Sequence, residues 1–118
     1  MFVDHLKKVV DNVDGGIAAL IMGLDGIAVE SYVRDGNKID ITTLGMEFSY
    51  ILAQVKKASE ILRLGGINEV TMKAESLVLV VRMLSPEYFL AVVLSADGNH
   101  GKCRFLMRLA EPRLAAEL

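Results

Sequence analysis

The chain has 118 residues, of which 53% are hydrophobic and 24% charged, and its formal net charge is −2. This length predicts a single domain over residues 1–118 with a core of its own. The hydrophobic fraction is high, yet the longest apolar runs, residues 77–81 and 88–94, are far shorter than the about 20 residues of a membrane-spanning helix. The excess therefore predicts a second buried face, shared with another chain.

Charge, cysteine content and the first residues narrow the class of protein further. The sequence has no basic run, so the clustered cations that nucleic-acid binding requires are missing. Lys7 and Lys8 interrupt the first apolar residues, which predicts no signal peptide. Cys103 is the single cysteine, so an internal disulfide is excluded. We expect a cytoplasmic protein in a reducing compartment that neither binds nucleic acid nor inserts into a membrane.

The first predicted element is a short amphipathic helix. Phe2, Leu6, Val9 and Val13 are spaced i, i+4, i+7 and i+11, which places them on one stripe of a helix. The turn residues of 12–16 (NVDGG) end that pattern.

A β-hairpin follows. Residues 17–22 are apolar on both faces, which predicts a central strand covered on both sides. Asp25-Gly26 is a turn signal, because glycine accepts positive φ without steric cost. Residues 27–32 alternate in polarity and predict a strand nearer the edge of the sheet. Residues 34–38 (RDGNK) then form a polar loop.

The next helix is the most informative segment. Asp40 can cap its start, and Gly65-Gly66 ends it after about Leu64. One stripe is predicted to pack on the sheet and comprises Leu44, Phe48, Ile51, Val55, Ala58 and Leu62. The opposite face is also apolar, where a one-sided helix would be polar: it carries Met46, Tyr50, Ala53, Ile61 and Leu64, with Lys57 as its main charge. Gly45 costs about 1 kcal/mol relative to alanine inside a helix, which predicts a close neighbour there. A helix with two apolar faces is expected to be covered on both.

Three strands and a helix complete the predicted order. Residues 69–74 alternate as in a half-exposed strand, whereas 77–83 and 88–94 are nearly uniformly apolar and should be interior. The last helix starts at about Gly101, with Phe105, Leu109 and, less clearly, Leu106 facing inward. Pro112 predicts a kink or a break. The fold class is α+β, with a five-stranded, mostly antiparallel sheet, helices on both faces and the order α-β-β-α-β-β-β-α.

Three segments carry a resemblance to a known family. They are the hairpin 16–32 (GIAALIMGLDGIAVESY), the pair Ile39-Asp40 before the long helix, and the strand, loop and helix start 91–104 (AVVLSADGNHGKCR), in which Gly101 opens the helix. Together with the element order, they resemble the Roadblock/dynein light chain family, which has a profilin-like fold. The resemblance covers nearly the whole chain. The chain departs from the family's pattern in two ways. Pro112 interrupts the last helix, and the chain lacks a long extension, so we expect it to lack any function that such an extension carries.

The resemblance implies partners. Proteins that look like this form homodimers or related heterodimers, in which the middle helices pack together and a sheet edge joins the two sheets. Bacterial and archaeal members are linked to small Ras-like GTPases. The predicted dimer interface consists of Gly45, Met46, Tyr50, Ala53, Lys57, Ile61, Leu64, Val70 and Met72. The strand 68–74 either joins the dimer or is an exposed edge guarded by charges.

The polar loop offers a further candidate surface. Arg34, Asp35 and Lys38 either contact a partner or form a solvated turn. Arg34 resembles an arginine finger, which stabilises a phosphoryl group during transfer, but the sequence does not single it out for that role.

The sequence offers no chemistry of its own. The nearest fragment to a phosphate-binding loop, residues 98–102 (GNHGK), has the wrong spacing. His5 and His100 are far apart in sequence and lack cysteines at metal-ligand spacing. Cys103, near a helix start, is either a redox thiol or a small core residue, and the core reading is favoured. We therefore expect no enzymatic activity, no cofactor and no metal.

Three functions are compatible with these features. The first is a homodimeric regulator or scaffold of a small Ras-like GTPase that acts through protein–protein surfaces. The alternative is a structural adaptor subunit of a motor or signalling complex without direct effect on GTP turnover. The third is a small-ligand sensor, against which the apolar, closed core argues.

Overall fold

The computed structural model describes all 118 residues. The chain forms α1 (Phe2–Asp11), β1 (Gly16–Gly23), β2 (Ala28–Val33), α2 (Ile41–Leu62), β3 (Glu69–Lys73), β4 (Leu77–Met83), β5 (Tyr88–Ser95) and α3 (His100–Glu117). This order confirms the predicted α-β-β-α-β-β-β-α arrangement.

The five strands form one sheet in the order β2-β1-β5-β4-β3. Every neighbouring pair is antiparallel, so the α+β fold class is confirmed. β2 and β3 are the two edges. The tight turn of the first hairpin contains Gly26 at φ +84°, a conformation that glycine adopts without strain.

Helices cover both faces of the sheet. On one face α1 and α3 enclose a core that includes Leu6, Leu90 and Met107. On the other face α2 covers a second core that includes Leu20 and Phe48. β1, β4 and β5 supply residues to both cores by the alternation of successive side chains, which explains their nearly uniform apolar sequences.

The sheet-facing side of α2 differs from the predicted stripe. Its buried residues are Ile41, Gly45, Phe48, Ser49, Leu52 and Ser59. Of the predicted stripe only Phe48 is buried, Leu44 and Val55 are half-buried, and Ile51, Ala58 and Leu62 are exposed. Three of the six buried residues are small, and at one of them, Gly45, an added Cβ would overlap Leu20 of β1, so the helix lies close to the sheet there. The hydroxyls of Ser49 and Ser59 donate to the carbonyls of Met46 (2.7 Å) and Gly65 (2.6 Å), so they are buried with partners.

The ends of α2 follow the predicted signals. The Asp40 carboxylate accepts hydrogen bonds from the Thr43 backbone N–H (3.0 Å) and hydroxyl (2.7 Å). These bonds, led by the one from the hydroxyl, lower the pKa of Asp40. The helix ends at Leu62, two residues before the predicted end, and Arg63 caps it in the left-handed conformation at φ 56°.

The inward face of α3 also differs from the prediction. Its buried residues are Cys103, Met107, Ala110 and Leu114. Phe105 and Leu109 are 55% and 57% exposed, and Leu106 is only half-buried. The predicted break at Pro112 does not occur, since α3 continues through it to Glu117. Leu114, fully buried beyond the proline, holds the last turns against the core.

Candidate interaction surfaces

The long helix α2 exposes a stripe of mostly apolar residues on the side away from the sheet. Tyr50 is 69% exposed and Ile61 71%. From Met46 to Ile61 the stripe extends about 22 Å at 1.5 Å per residue. We call this set the α2 stripe: Met46, Tyr50, Ala53, Lys57, Ile61 and Leu64, all of them exposed. Leu64 lies just after the helix.

Gly45 does not belong to this exposed surface. It is buried beneath α2, where an added Cβ would overlap Leu20 Cδ2 and lie 3.0 Å from Met22 Cε. The close neighbour predicted for Gly45 is therefore β1 of the same chain. The prediction of Gly45 as a dimer-interface residue is wrong, because Gly45 is buried against its own sheet.

Two residues of β3 lie on the same side of the sheet as α2. Val70 and Met72 are paired with Val81 and Leu79 of β4, and both of those β4 residues belong to the core beneath α2. Directly opposed residues of an antiparallel pair point to the same face. Val70 is half-buried and Met72 exposed, so the predicted β3 contribution lies beside the α2 face of the molecule.

The outer edge of β3 has unpaired backbone groups. The Asn68 carbonyl accepts a hydrogen bond from the Met83 N–H of β4 (3.0 Å). The Ala74 N–H donates to the Leu77 carbonyl of β4 (2.9 Å). Because the bonding direction alternates along an antiparallel strand, the odd-numbered residues 69, 71 and 73 direct their N–H and C=O groups outward. No strand covers this edge.

Side chains at the β3 edge form a small polar network with α3. Arg104 donates to Thr71 Oγ1 from Nη2 (3.0 Å), and its Nε lies 3.6 Å from Glu69 Oε2. The other oxygen of Glu69, Oε1, is buried without a hydrogen-bond partner. A buried carboxylate oxygen without a hydrogen-bond partner costs free energy.

The loop after β2 divides into an anchored residue and two exposed ones. Arg34 Nε lies 4.0 Å from Asp11 Oδ1, and Arg34 also donates to the Gly16 carbonyl at 3.5 Å. Asp35 and Lys38 are exposed. The structure thus holds the Arg34 side chain against its own chain and leaves Asp35 and Lys38 accessible.

The side chains that could carry chemistry are not assembled into a catalytic site. Cys103 is fully buried, and burial raises the pKa of its thiol to about 12. Its Sγ lies 3.6 Å from Met107 Sδ, so Cys103 packs as a core residue. Asp97 accepts a hydrogen bond from Ser95 Oγ (2.9 Å) at the surface. No three His, Cys, Asp or Glu side chains lie close enough together to hold a metal ion.

Two concave features were not predicted from the sequence. A cleft of about 410 Å³ lies between the end of α2 and the β4–β5 turn, lined by Leu52, Lys56, Glu60, Ile67, Met83 and Pro86 among others. A second one, of about 180 Å³, separates α1 from α3. Leu109 lines the second cavity; its sequence position predicted a core residue, but it is 57% exposed.

None of the helices is long and apolar enough to cross a membrane. No protein-family model matches the sequence, and a comparison with curated proteins finds no match either.

Solved structures, in contrast, resemble the chain over nearly its whole length. MglC from Myxococcus xanthus is 39% identical, with 99% of this chain and 98% of MglC covered and a TM-score of 0.73. The gliding protein MglB from Thermus thermophilus is 18% identical, covers 98% of this chain and 89% of its own, and gives a TM-score of 0.86. A Roadblock/LC7 domain from Streptomyces avermitilis is 16% identical over 93% and 94%, with a TM-score of 0.76. The last two likenesses, at such low identity, concern the fold alone.

Proposed function

We propose that this chain, which belongs to the Roadblock/LC7 family, is a homodimeric regulator or scaffold of a small Ras-like GTPase. The observation that carries the proposal is the α2 stripe, an exposed apolar surface on a chain with no assembled catalytic site. The resemblance to this family implies a regulatory or adaptor protein rather than an enzyme. Any hydrolysis of GTP is then carried out by the partner, in the cytoplasm.

The α2 stripe is the proposed contact between two copies. Monomeric proteins rarely leave a contiguous apolar patch of this kind exposed. Pairing two stripes would bury Tyr50 and Ile61, which together with Met46 are the largest apolar side chains on the exposed side of the helix. Val70 and Met72 extend the proposed interface toward the β3 edge.

The proposed GTPase surface includes the accessible loop residues Asp35 and Lys38, with Arg34 beside them. The resemblance implies a small Ras-like GTPase as the partner of bacterial and archaeal members, and the 39% identity to MglC from Myxococcus xanthus supports this assignment. A dimer presents each loop twice, so the GTPase would be bound by a composite surface of two copies.

The dimer is tested by Tyr50→Glu. The added carboxylate would be buried without a partner in a paired stripe, which strongly opposes association. Light scattering should give the wild type a mass near twice 12.9 kDa and the variant the monomer mass, with an unchanged far-UV circular dichroism spectrum. Phe105→Glu is the matched control, because it places the same carboxylate at a 55% exposed aromatic of α3, across the sheet from the α2 stripe, and it should stay dimeric. A Tyr50→Glu protein that stays dimeric would contradict the interface.

The regulatory role is tested with each small Ras-like GTPase that the same genome encodes. The dimer should bind one of them and change its rate of GTP hydrolysis or of nucleotide release, and the Tyr50→Glu monomer should do neither. Binding without a change in either rate would favour the adaptor function instead. Absence of binding to the GTP-loaded and GDP-loaded forms alike would overturn the proposal.

A further inference from the structure

A groove runs between α1 and α3, on the face of the sheet opposite to α2. Its volume is about 180 Å³, and we call it the α1–α3 groove; it is lined by His5, Lys8, Val9, Leu106, Leu109 and Arg113. Its floor is apolar and its rim is basic. Because α1 and α3 belong to one core layer and α2 to the other, the sheet separates this groove from the α2 stripe.

The α3 side of the groove carries a regular stripe. Lys102, Leu106, Leu109 and Arg113 are spaced i, i+4, i+7 and i+11, so they lie along one side of the helix. The stripe is about 16 Å long at 1.5 Å per residue, or three helical turns. Phe105 borders it and is 55% exposed. Apolar side chains thus lie between a cation at each end.

The cations of the groove have no partners within the chain. Lys8 and Arg113 line the groove and form no salt bridge, whereas the neighbouring carboxylates are engaged. Glu117 lies 3.3 Å from His5 and 3.5 Å from the N-terminal amine. A chain of net charge −2 therefore has two unpaired cations on the lining of one apolar groove, and Lys102, also without a salt bridge, lies one turn before Leu106 on α3.

From this complementarity we infer that the α1–α3 groove binds an acidic amphipathic helix of a second protein. An apolar groove between two helices accepts the apolar side chains of a third, spaced i, i+3 or i+4 and i+7. Carboxylates on the flanks of that helix would pair with Lys8 on one bank and with Lys102 and Arg113 on the other. The site lies across the sheet from the proposed dimer contact, so it can be occupied in the monomer and in the dimer.

An anionic membrane is a poorer occupant for the same residues. Each cation near an anionic surface contributes only about 1 kcal/mol, and stable attachment requires a larger basic cluster or a broad apolar face. Here two unpaired cations, Lys8 and Arg113, line a concave space. A concave space favours insertion of side chains over contact with a flat surface.

The test uses the full chain and a synthetic 18-residue helix with leucines at i, i+4, i+7 and i+11 and glutamates on both flanks. In ¹H–¹⁵N NMR titrations, this peptide should shift resonances of α1 and α3, and the same peptide with lysines in place of the glutamates should not. Affinity for the glutamate peptide should fall when sodium chloride is raised from low to high concentration, as expected for partly exposed ion pairs.

Charge-reversal variants locate the site. Lys8→Glu/Arg113→Glu should weaken the affinity about tenfold, as the loss of two exposed ion pairs implies. The matched control is Lys38→Glu/Arg108→Glu, which makes the same change of net charge at two exposed cations outside the groove and should bind as the wild type does. Leu109→Ser, at a half-exposed position that folding does not require, should also weaken binding. Tyr50→Glu should bind the peptide normally, which separates this site from the proposed dimer contact.

Several results would overturn the inference. The inference fails if the glutamate and lysine peptides bind equally well, or if both double variants lose the same amount of affinity. It also fails if the peptide shifts only resonances outside α1 and α3. Binding to phosphatidylserine vesicles with no shift by the peptide would assign the groove to a membrane. Groove resonances that shift when the protein alone is diluted would assign it to a second copy of the chain.

Discussion

Gly45 sets how closely α2 approaches the sheet. A helical position is unfavourable for glycine by up to about 1 kcal/mol, and the structure supplies the reason for a glycine in the second turn of α2. The missing side chain leaves room for Leu20 and Met22 of β1, both fully buried. A side chain at position 45 would have to displace atoms that are packed against other core residues. The glycine is therefore a packing residue of the core beneath α2.

Gly45→Ala should destabilise the protein. Overpacking a core position costs about 1–3 kcal/mol, and the alanine gains about 1 kcal/mol of helix propensity, so we expect a net loss of up to about 2 kcal/mol. Urea unfolding followed by circular dichroism measures it as a lower midpoint at unchanged slope. Gly66→Ala is the control, because no atom lies within 4 Å of an added Cβ there. A Gly45→Ala protein more stable than the wild type would refute the packing role.

At the scale of elements, the sequence predicted the order and type of every helix and strand, and the N-cap of α2 at Asp40; the caps Arg63 of α2 and Asn99 of α3 were not predicted. These features depend on local signals: Asp40 before α2, Gly26 in the hairpin turn, and uniform apolar runs in β4 and β5. The sequence did not predict which side of α2 or α3 faces the core. The period of an apolar pattern identifies a face only when the other face is polar. α2 is apolar on several sides, and its buried side is chosen by small residues such as Gly45 and Ser59.

The same limitation explains the missed α1–α3 groove. Phe105 and Leu109 are large and apolar, so the pattern assigned them to the core, whereas the smaller Cys103 and Ala110 are the buried ones. Residue size alone does not show how near a helix lies to its neighbour. Pro112 was expected to kink or break the helix because of its missing N–H, yet the burial of Leu114 beyond it stabilises the continued helix.

The N-cap of α2 gives a prediction that depends on pH. The bonds from Thr43 lower the pKa of Asp40 in the folded protein, so its contribution to stability is present above its unfolded value of about 3.9 and is lost as the pH falls through the folded value. Asp40→Ala should therefore have a lower urea midpoint than the wild type at pH 6. We call this difference in urea midpoint the gap, and it should close as the pH is lowered below about 4.

The N-cap of α3 provides the control for that experiment. Asn99 Oδ1 accepts a hydrogen bond from the Lys102 backbone N–H at 3.0 Å, and an amide does not titrate. Asn99→Ala should cost about 1 kcal/mol, with a gap that stays constant between pH 6 and pH 3. An Asp40→Ala gap that is as large at pH 3 as at pH 6 would show that the ionised carboxylate is not what stabilises α2.

For the whole molecule, the sheet separates two surfaces of different character. The α2 stripe is apolar with one main charge, whereas the α1–α3 groove combines apolar residues with a basic rim. Exposed apolar residues favour self-association, and a basic groove favours an acidic partner. A dimer formed through the first surface would display two copies of the second on its outer sides. This arrangement suits a scaffold, because self-association and partner binding use different faces of the sheet.

The β3 edge decides whether the dimer also has a continuous sheet. Residues 69, 71 and 73 direct backbone groups outward, so a second β3 could pair with them and satisfy groups that otherwise meet only water. We expect the outward amides of Thr71 and Lys73 to exchange hydrogen slowly in the dimer and rapidly in the Tyr50→Glu monomer. Lys73→Pro should weaken dimerisation about tenfold, because it removes an outward donor and leaves the bonds to β4 intact.

Lys73→Ala is the matched control for that substitution. It removes the same side chain but keeps the outward N–H, so its dimer dissociation constant should stay within about twofold of the wild type, since an exposed side chain contributes little. If the proline and alanine variants dimerise equally well and Thr71 exchanges fast in the dimer, β3 remains a free edge. The α2 stripe alone would then join the two copies, and the charged side chains of Glu69, Lys73 and Glu75 would serve to keep that edge from aggregating.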